Sequence, residues 1–572
     1  MSKIIHVCAR GPLPVSIETR LYTICRALEP DHLKFRTPRV AIHGQCAYGV
    51  VNPTRSMLEE EGSVVVGSLF ARPDNWTAAD AGPLDGSFAI FRDSDLTFEI
   101  VSDPVGSRTI WYYADEEIFI SSTSQRALVM FLGSFELDPT ILPWIFSTGT
   151  LGPTRSWDRR IERLPPDSTV TLNKETWVVS QRSASFEFVL RDEPNEQHEV
   201  RLTDAIASTV ATLLPDFSRW VLPLSGGYDS RGILCLLRDA GQALDELQTV
   251  TWGLDSALAD PKSDAHVAQQ LAKAVGAPHR YYKTDLPDEP IEMIFERFFA
   301  MGEGRVDHVS GYMDGFQIWK DLYEDGVENV IRGDEGFGWS NVSSARMVRR
   351  KVGCALCSDF TNLQDIERHG FAPQSLPESL QQQVDESLET RRDRLYHEYR
   401  IPTILAGLSD LKLAYVELVN PLLSRRILDE VRQEPDALRT KKALFRKIVE
   451  RLSPDVPYAT TSATAKRTDI FKQDAVVQMM TAELTSEAAK SVMPASFLAE
   501  LSQALTTQVR STTSPRKRPG FKGLAKRLVP RFLRNAKRTE LTQVDLSALA
   551  FRAYLISRMN ALLTADAKRV SP

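Results

Sequence analysis

The chain has 572 residues, of which 42% are hydrophobic and 25% are charged, and its formal net charge is −6. This length exceeds one average domain core, so at least two domains are expected, and the small net charge predicts no general affinity for nucleic acid or membranes. No apolar stretch is long enough for a spanning helix. Six scattered cysteines form no disulfide framework and the first residues lack a signal-peptide pattern, so we expect a cytoplasmic location.

The first 190 residues are rich in β-branched and aromatic runs separated by Gly, Pro or Asp, which is typical of strands and turns. These runs cover residues 62–70, 85–93, 96–106, 109–123 and 168–173. Their spacing favours antiparallel sheets, with two stacked sheets as one arrangement. The polar segment 191–199 is predicted to be a linker.

Beyond the linker the hydrophobic period changes to that of a helix. The positions on this helical face are Val200, Leu202, Ile206, Val210 and Leu213. Strand candidates follow at 219–224, 247–253 and 327–333, with a helical pattern at 263–275 between the last two. This alternation predicts a parallel sheet covered by helices, and from about residue 375 the chain is expected to be mostly helical.

The first strand of this region leads into the turn Ser-Gly-Gly-Tyr-Asp-Ser at 225–230. Gly226 and Gly227 allow a ligand to approach the backbone, and free N–H groups at a helix start favour an anion. The Ser225 and Ser230 hydroxyls suit a phosphate. The Asp229 carboxylate would repel a phosphate unless Mg²⁺ lies between the two groups. The alternative is a glycine turn with a capping side chain.

A second strand leads into "VIRGDEGFGW" at 330–339, where glycines flank Asp334 and Glu335. Two adjacent acids at a strand end can form a water-exposed turn. They can also complete a Mg²⁺–pyrophosphate site with Asp229, and the placement at two strand ends of one sheet favours this interpretation.

The segment 515–538 carries ten Lys or Arg residues and no acid. It is interpreted as a solvated surface loop, with a docking surface for an acidic peptide or protein as the alternative. Nucleic acid is disfavoured because only Phe521 and Phe532 offer rings for stacking.

Several motifs in collinear order resemble the asparagine synthetase class, and the turn at 225–230 resembles the pyrophosphate loop of ATP pyrophosphatases. The motifs are "LDGSFAIFRD" (84–93), "VSDPVGSRTIWYY" (101–113), "ISSTSQRALV" (120–129), "RGDEGFGW" (332–339), "VELVNPLLSRRILDEV" (416–431) and "KKALFRKIVERLSPDVP" (441–457). The resemblance implies an α/β protein with an antiparallel, glutamine amidotransferase-like β-sandwich with flanking helices over 1–190. It implies a parallel-sheet ATP-pyrophosphatase domain, similar to adenine nucleotide α-hydrolases, with a mostly helical C-terminal part over 198–572.

The N-terminal part departs from this class at the residues that hydrolyse glutamine. Glutaminases of this class need Cys after the initiator Met, where this chain has Ser2, and Cys8 is internal without a free amine. The Asn-Gly pair of the oxyanion site is also missing from "VVGSLF" (65–70). The domain is therefore expected to produce no ammonia, so a different amine must be the nucleophile.

Relatives with such an inactive domain include β-lactam synthetases and lasso-peptide cyclases, and the form of "RGDEGFGW" and the Arg after the phosphate turn favour the cyclases. The implied function is ATP- and Mg²⁺-dependent closure of a macrolactam in a linear core peptide, beside a leader peptidase and a leader-binding protein. A small-molecule amide ligase and a non-catalytic scaffold remain alternatives. No nucleic acid or membrane partner is expected.

The resemblance also implies a set of site residues. Those expected at ATP are Ser225, Gly226, Gly227, Asp229, Ser230, Trp252 and Gly333, with Arg231 either at the pyrophosphate or facing solvent. Asp229 and Asp334 are the expected Mg²⁺ ligands. The catalytic candidates are Lys466, Asp334, Glu335, Glu303 and His308; Lys466 is alternatively an exposed loop lysine, and Glu303 and His308 alternatively belong to a loop or helix cap.

Overall fold

The structure is a computed structural model that describes residues 3–570 except for 35, 71–72, 74, 80, 214, 285–288, 465–469 and 514–541. Lys466 and the basic segment 515–538 therefore lie outside the described residues. The fold is mixed α/β, with antiparallel sheets in the N-terminal part, a parallel sheet later in the chain and a helical C-terminal part.

The N-terminal part contains two six-stranded antiparallel sheets. Their strand orders are β10-β8-β9-β1-β3-β2 and β12-β11-β7-β6-β5-β4. The strands are β1 Lys3–Ala9, β2 Arg39–His43, β3 Cys46–Val51, β4 Leu58–Glu60, β5 Ser63–Leu69, β6 Gly86–Asp93, β7 Thr97–Ser102, β8 Trp111–Ala114, β9 Ile118–Ser122, β10 Glu162–Arg163, β11 Ser168–Asn173 and β12 Val179–Ser183. Flanking helices are α1 Ile17–Ala27, α2 Gln125–Leu132 and α3 Leu142–Thr148.

Strand β1 shows why the two sheets stack. Its side chains alternate between two cores, because successive residues of a strand point to opposite faces. Ile4 and Cys8 lie in the core between the sheets, whereas Ile5 and Val7 lie in the core shared with helix α1. The prediction of stacked antiparallel sheets is confirmed.

The run 109–123, predicted as one strand, is a hairpin of β8 and β9. The Asp115 carboxylate accepts hydrogen bonds of 2.9 Å from the N–H groups of both Glu117 and Ile118, which stabilises a tight turn. The prediction missed this turn because the apolar pattern continues on both sides of it.

The later sheet has five parallel strands in the order β15-β14-β13-β16-β17. They are β13 Trp220–Pro223, β14 Gln248–Gly253, β15 His279–Lys283, β16 Asn329–Ile331 and β17 Glu417–Val419. The helices of this region are α4 Asn195–Thr212, α5 Tyr228–Asp239, α6 Asp264–Val275, α7 Ile291–Gly302 and α8 Gln317–Glu324. Helix α4 begins inside the predicted linker 191–199, and Val200, predicted on its buried face, is exposed.

The C-terminal part is mostly helical, as expected. Its helices are α9 Ala345–Val352, α10 Leu388–Leu395, a π-helix Tyr396–Leu405, α11 Ala406–Asp410, α12 Arg425–Val431, α13 Asp436–Arg439, α14 Ala443–Leu452, α15 Asp474–Leu484, α16 Glu487–Val492, α17 Ala495–Thr513 and α18 Leu546–Asp566. None of the described helices combines the length and the apolar character that a membrane span requires.

One hydrophobic core crosses the predicted boundary between residues 190 and 198. It joins Ile5 of β1 and Leu21 of α1 to Phe295 of α7 and Phe551 of α18. A buried ion pair between Arg126 and Asp566 also spans the boundary. The β-sandwich and the helical part are therefore packed together over a continuous apolar surface.

Candidate active site

A pocket of about 300 Å³ opens at the carboxyl ends of β13, β14 and β16. Ligands of open parallel sheets bind at this edge, where the strands end and the following loops diverge. Six of the residues predicted to bind ATP or Mg²⁺ line the pocket. They are Ser225, Asp229, Ser230, Trp252, Gly333 and Asp334.

Side-chain oxygens hold the backbone N–H groups at the start of the turn 225–230. The N–H of Ser225 donates to Ser230 Oγ at 3.0 Å, and the N–H of Gly227 donates to Ser225 Oγ at 3.3 Å. The N–H of Gly226 donates to Asp264 Oδ1 at 3.1 Å. The amides that can receive an anion are therefore those of the first turn of α5, at the helix start where the sequence predicted them.

The turn after β13 and the loop after β16 are in close contact at Gly333. A β-carbon at Gly333 would lie 3.1 Å from the Ser230 nitrogen and 3.3 Å from Asp229 Cβ. Gly333 is therefore needed for this close approach, which carries Asp334 to the same pocket as Asp229.

A lysine that the sequence analysis did not single out lies between two of the predicted acids. Lys442 Nζ is 2.8 Å from Asp229 Oδ1 and 2.9 Å from Glu335 Oε1. Burial raises the pKa of Glu335 to about 7, Lys442 opposes that rise and Asp229 adds to it. Burial acts to lower the pKa of Lys442, but Glu335 and Asp229 outweigh it and raise this pKa, so the lysine stays charged.

The backbone at Lys442 is shaped to hold this position. Lys441 and Lys442 both have left-handed backbone torsions, with φ of 59° and 57°. Consecutive non-glycine residues in this region are strained and cluster at functional sites. The segment "KKALFRK" was predicted only as part of the resemblance, and Lys442 matches the lysine of the Lys-x-Leu-Leu-Arg pattern there, which was the available signal.

Tyr396 is a second side chain that the sequence did not reveal. It begins the π-helix, it is buried, and its ring packs edge-on against Trp339 at 5.0 Å. Burial and the nearby carboxylates of Glu335 and Asp334 raise the pKa of Tyr396. Single π-helical turns are frequent at functional sites, and Pro402 within this helical pattern was the available signal.

The segment 456–464 covers the pocket from the other side. The Ala459 N–H donates to the Gly226 carbonyl at 3.0 Å, and the Leu254 N–H donates to the Ala463 carbonyl at 2.8 Å. Ser462 and Thr464 of this segment line the pocket. The predicted Lys466 follows two residues later, outside the described residues.

Arg231 does not face solvent, contrary to one of its two interpretations, because it is fully buried. Its guanidinium donates to the carbonyls of Val456 and Pro457 at 2.7 and 2.8 Å and lies 3.9 Å from the Tyr458 ring centroid. These contacts tie the covering segment to helix α5. The structure thus gives Arg231 a positioning role beside the pocket.

Glu303 lies away from this pocket, in the contact between the β-sandwich and the helical part. It accepts hydrogen bonds from Lys3 Nζ at 2.8 Å, Ser124 Oγ at 2.5 Å and the Gln125 N–H at 2.7 Å. All its oxygens are therefore engaged in a buried structural network. Of its two interpretations, the structure agrees with the helix cap, since Glu303 ends helix α7 and does not line the pocket.

His308 is also placed elsewhere. Its side chain is 45% exposed and its Nδ1 lies 3.3 Å from Asp307 Oδ1. Asp307 is in turn buried and accepts from Arg552 Nε at 2.7 Å. The loop lies between α7 and α8, and Arg552 belongs to α18. His308 and Asp307 do not line the pocket at the strand ends.

The donor set of the pocket suits a nucleotide with Mg²⁺. Asp229, Asp264 and Asp334 line it together with Arg332, and Lys442 pairs with Asp229. Three carboxylates against two cations leave no excess positive charge for a triphosphate, so Mg²⁺ is expected to accompany it. Mg²⁺ is usually held by one or two carboxylates together with phosphate oxygens. Among the described residues, no group of three or more His, Cys, Asp or Glu side chains converges to hold a metal unaided. The phosphates would have to supply the remaining ligands.

No family model matches the sequence, and no curated protein is similar to it in sequence. Among solved structures, it matches one described as the allosteric regulatory enzyme of purine biosynthesis, with 9% identity, 50% of this chain and 81% of that chain covered, and a TM-score of 0.21. It also matches glutamine phosphoribosylpyrophosphate amidotransferase from B. subtilis complexed with ADP and GMP, with 9% identity, 57% and 90% covered, and a TM-score of 0.22. Both likenesses are distant.

Proposed function

We propose that the chain is an ATP-dependent amide-bond-forming ligase of the asparagine synthetase-like type, without glutaminase activity. Its proposed reaction is the closure of a lasso-peptide macrolactam. The observation that carries the ligase proposal is the convergence of Ser225, Ser230, Asp229 and Asp334 in one pocket at the carboxyl ends of parallel strands. The resemblance of the motifs to lasso-peptide cyclases carries the choice of substrate.

In the proposed reaction, ATP lies against the first turn of α5 with Asp229 and Asp334 as ligands of Mg²⁺, which would neutralise phosphate charge. A side-chain carboxylate of a peptide Asp or Glu attacks the α-phosphorus, and the bond to pyrophosphate breaks. The N-terminal amine of the same peptide then attacks the acyl carbon, loses its proton and displaces AMP. The products are the macrolactam, AMP and pyrophosphate.

Lys442 holds Asp229 and Glu335 in fixed positions, which preorganises the pocket before ligand binds. Glu335 is buried, and its Oε2 accepts a hydrogen bond of 2.7 Å from the Phe337 N–H, so its proposed part is to hold Lys442 in place. Lys466 remains a proposed donor to the developing charge on phosphate and carbonyl oxygens.

The inactive state of the β-sandwich is supported by Cys8. This thiol is fully buried between the two sheets, opposite Cys46 of the neighbouring strand. Such a position is inaccessible to a glutamine side chain. The amine nucleophile is therefore proposed to belong to the substrate.

ATP–pyrophosphate exchange tests the proposal. Labelled pyrophosphate should enter ATP only when a linear, leader-free core peptide with an acidic side chain at the ring position is present. Mass spectrometry should then detect loss of one water from the peptide. Exchange with amino-acid-sized carboxylates and not with peptides would favour the small-molecule amide ligase. Absence of exchange with every carboxylate, together with no ATP binding, would favour the scaffold.

A further inference from the structure

A cavity of about 660 Å³ lies between the β-sandwich and the helical part, apart from the pocket described above. Its walls come from Arg163 of β10, the segment 183–189 after β12, and Leu380, Glu398 and Tyr399 of the helical part. This volume is within the range of small-molecule sites. Most of its lining is apolar or aromatic, with Phe186 and Phe188 on one wall.

Arg163 is a buried cation in the wall of this cavity, and it has few hydrogen-bond partners. It is 8% exposed, and among the described residues its guanidinium makes one hydrogen bond, from Nη1 to Thr403 Oγ1 at 3.1 Å. Its Nε is buried with no hydrogen-bond partner, and no carboxylate within the described residues forms an ion pair with it. Burial and the nearby positive charge of Arg305 lower the pKa of Arg163 to about 10.

Two acids among the described residues line the cavity, and neither forms an ion pair with Arg163. Glu398 lines the same cavity, but it accepts a hydrogen bond of 2.9 Å from Arg394. Glu187 also lines it and is exposed, and it accepts from Ser185 Oγ. Arg305 is paired with Asp410. A buried cation without a counter-ion is costly, so an anion that enters the cavity recovers part of this cost.

We propose that this cavity binds the carboxylate of a ligand with an apolar or aromatic body. The carboxylate pairs with the Arg163 guanidinium, whose planar donors match a carboxylate. The apolar body packs against Phe186, Phe188 and Leu380. A free organic acid and the C terminus of a peptide share this chemistry. The inference does not depend on the proposed ligase reaction.

The cavity wall is in contact with the loop of the candidate active site. Phe188 packs against the His397 ring at 5.3 Å, and His397 Nε2 lies 2.8 Å from the carbonyl oxygen of Gly336, which follows Glu335. The π-helix carries Tyr396 toward Glu335, and it carries Glu398 and Tyr399 to the cavity. A ligand in the cavity would therefore contact the same π-helix that packs against the loop of the candidate active site.

Calorimetric titration of the full chain tests the site with three probes. They are 3-phenylpropionate, N-acetyl-L-phenylalanine and the neutral N-acetyl-L-phenylalaninamide. We expect the two acids to bind and the amide to bind at least about tenfold more weakly, since a charge-assisted hydrogen bond is lost. Preference for N-acetyl-L-phenylalanine indicates a peptide C terminus, and equal binding of both acids indicates a free acid.

Arg163→Met should weaken binding of the acids at least about tenfold and leave the melting temperature unchanged or higher, because an unpaired buried charge is removed. Arg163→Lys should retain part of the binding, and Arg155→Met, at an exposed arginine, should retain all of it. Equal binding of acid and amide by the wild-type chain, or undiminished binding by Arg163→Met, would overturn the proposal. The acid–amide comparison needs no variant and decides the question if Arg163→Met does not fold.

Discussion

The Lys442 ammonium group lies 2.8 Å from both carboxylate oxygens of Asp229. It holds Asp229, which the sequence analysis predicts to be a Mg²⁺ ligand, and it reaches Glu335 as well. We expect Lys442→Met to lower substrate-dependent pyrophosphate release at least about a hundredfold, because the pocket loses its preorganised charge. Lys447→Met, at an exposed lysine paired with Glu199, is the control and should act like the wild type. A normal rate in Lys442→Met would remove Lys442 from the site.

Asp229→Asn and Asp334→Asn should each abolish pyrophosphate release while the protein remains folded. Both side chains line the pocket, and an amide is a poor ligand for Mg²⁺ compared with a carboxylate. Exchange assays and circular dichroism on the same samples check both parts of this expectation. Asp365→Asn, on a different pocket, should be active. Full turnover by Asp229→Asn would contradict the assignment of the nucleotide site.

Arg231→Met should weaken use of ATP through the segment 456–464. The variant loses two charge-assisted hydrogen bonds to backbone carbonyls in a buried position, at a cost of about 3 kcal/mol in the free energy of unfolding. We expect a raised KM for ATP with a smaller change in kcat, since Arg231 touches the covering segment and not the reacting atoms. Arg201→Met, on the exposed side of α4, provides the comparison. Unaltered stability and KM would refute this role.

The contribution of Glu335 to the free energy of unfolding should fall as the pH rises from about 4.5 to about 7. Its pKa is raised to about 7 in the folded state from 4.5, so the folded protein binds a proton over this interval that the unfolded chain releases. Glu335→Gln removes this contribution, and its free energy of unfolding should depend less on pH in urea denaturation. Glu175→Gln, at an exposed turn, should follow the wild type. Parallel pH profiles for Glu335→Gln and the wild type would contradict the assignment.

Glu303→Gln should reduce stability without a direct effect on chemistry. Removal of one partner from a buried ion pair costs about 3–5 kcal/mol, and Glu303 also binds Ser124 and Gln125. Thermal denaturation should show the loss, while the exchange rate at low temperature should match the wild type. His308→Ala, at an exposed position in the same loop region, should change neither quantity. A selective loss of rate in either variant would return that residue to the candidate active site.

Local sequence patterns were sufficient to predict the two kinds of sheet and the turns that line the candidate active site. Runs of β-branched and aromatic residues, separated by Gly, Pro or Asp at short spacing, predicted antiparallel sheets with stacking as one arrangement, because such side chains favour strands and such residues favour turns. The alternation of strands and helices predicted the parallel sheet, and the carboxyl ends of β13 and β16 were expected to carry the ligand-binding turns. The sequence thereby indicated the loops of Asp229 and Asp334, which line one pocket.

Only the tertiary structure decided the rest. Strand β15 is largely polar and β17 has only three residues, so their sequence patterns are weak, and pairing with neighbouring strands defines them. The roles of Lys442 and Arg163 come from side chains that are distant in the chain: Lys442 contacts Asp229, and Arg163 contacts Thr403. Conversely, the sequence analysis predicted Glu303 as a catalytic candidate, whereas its buried ion pair with Lys3 indicates a structural role. Burial and long-range charge pairing depend on the whole fold, and no window of sequence contains them.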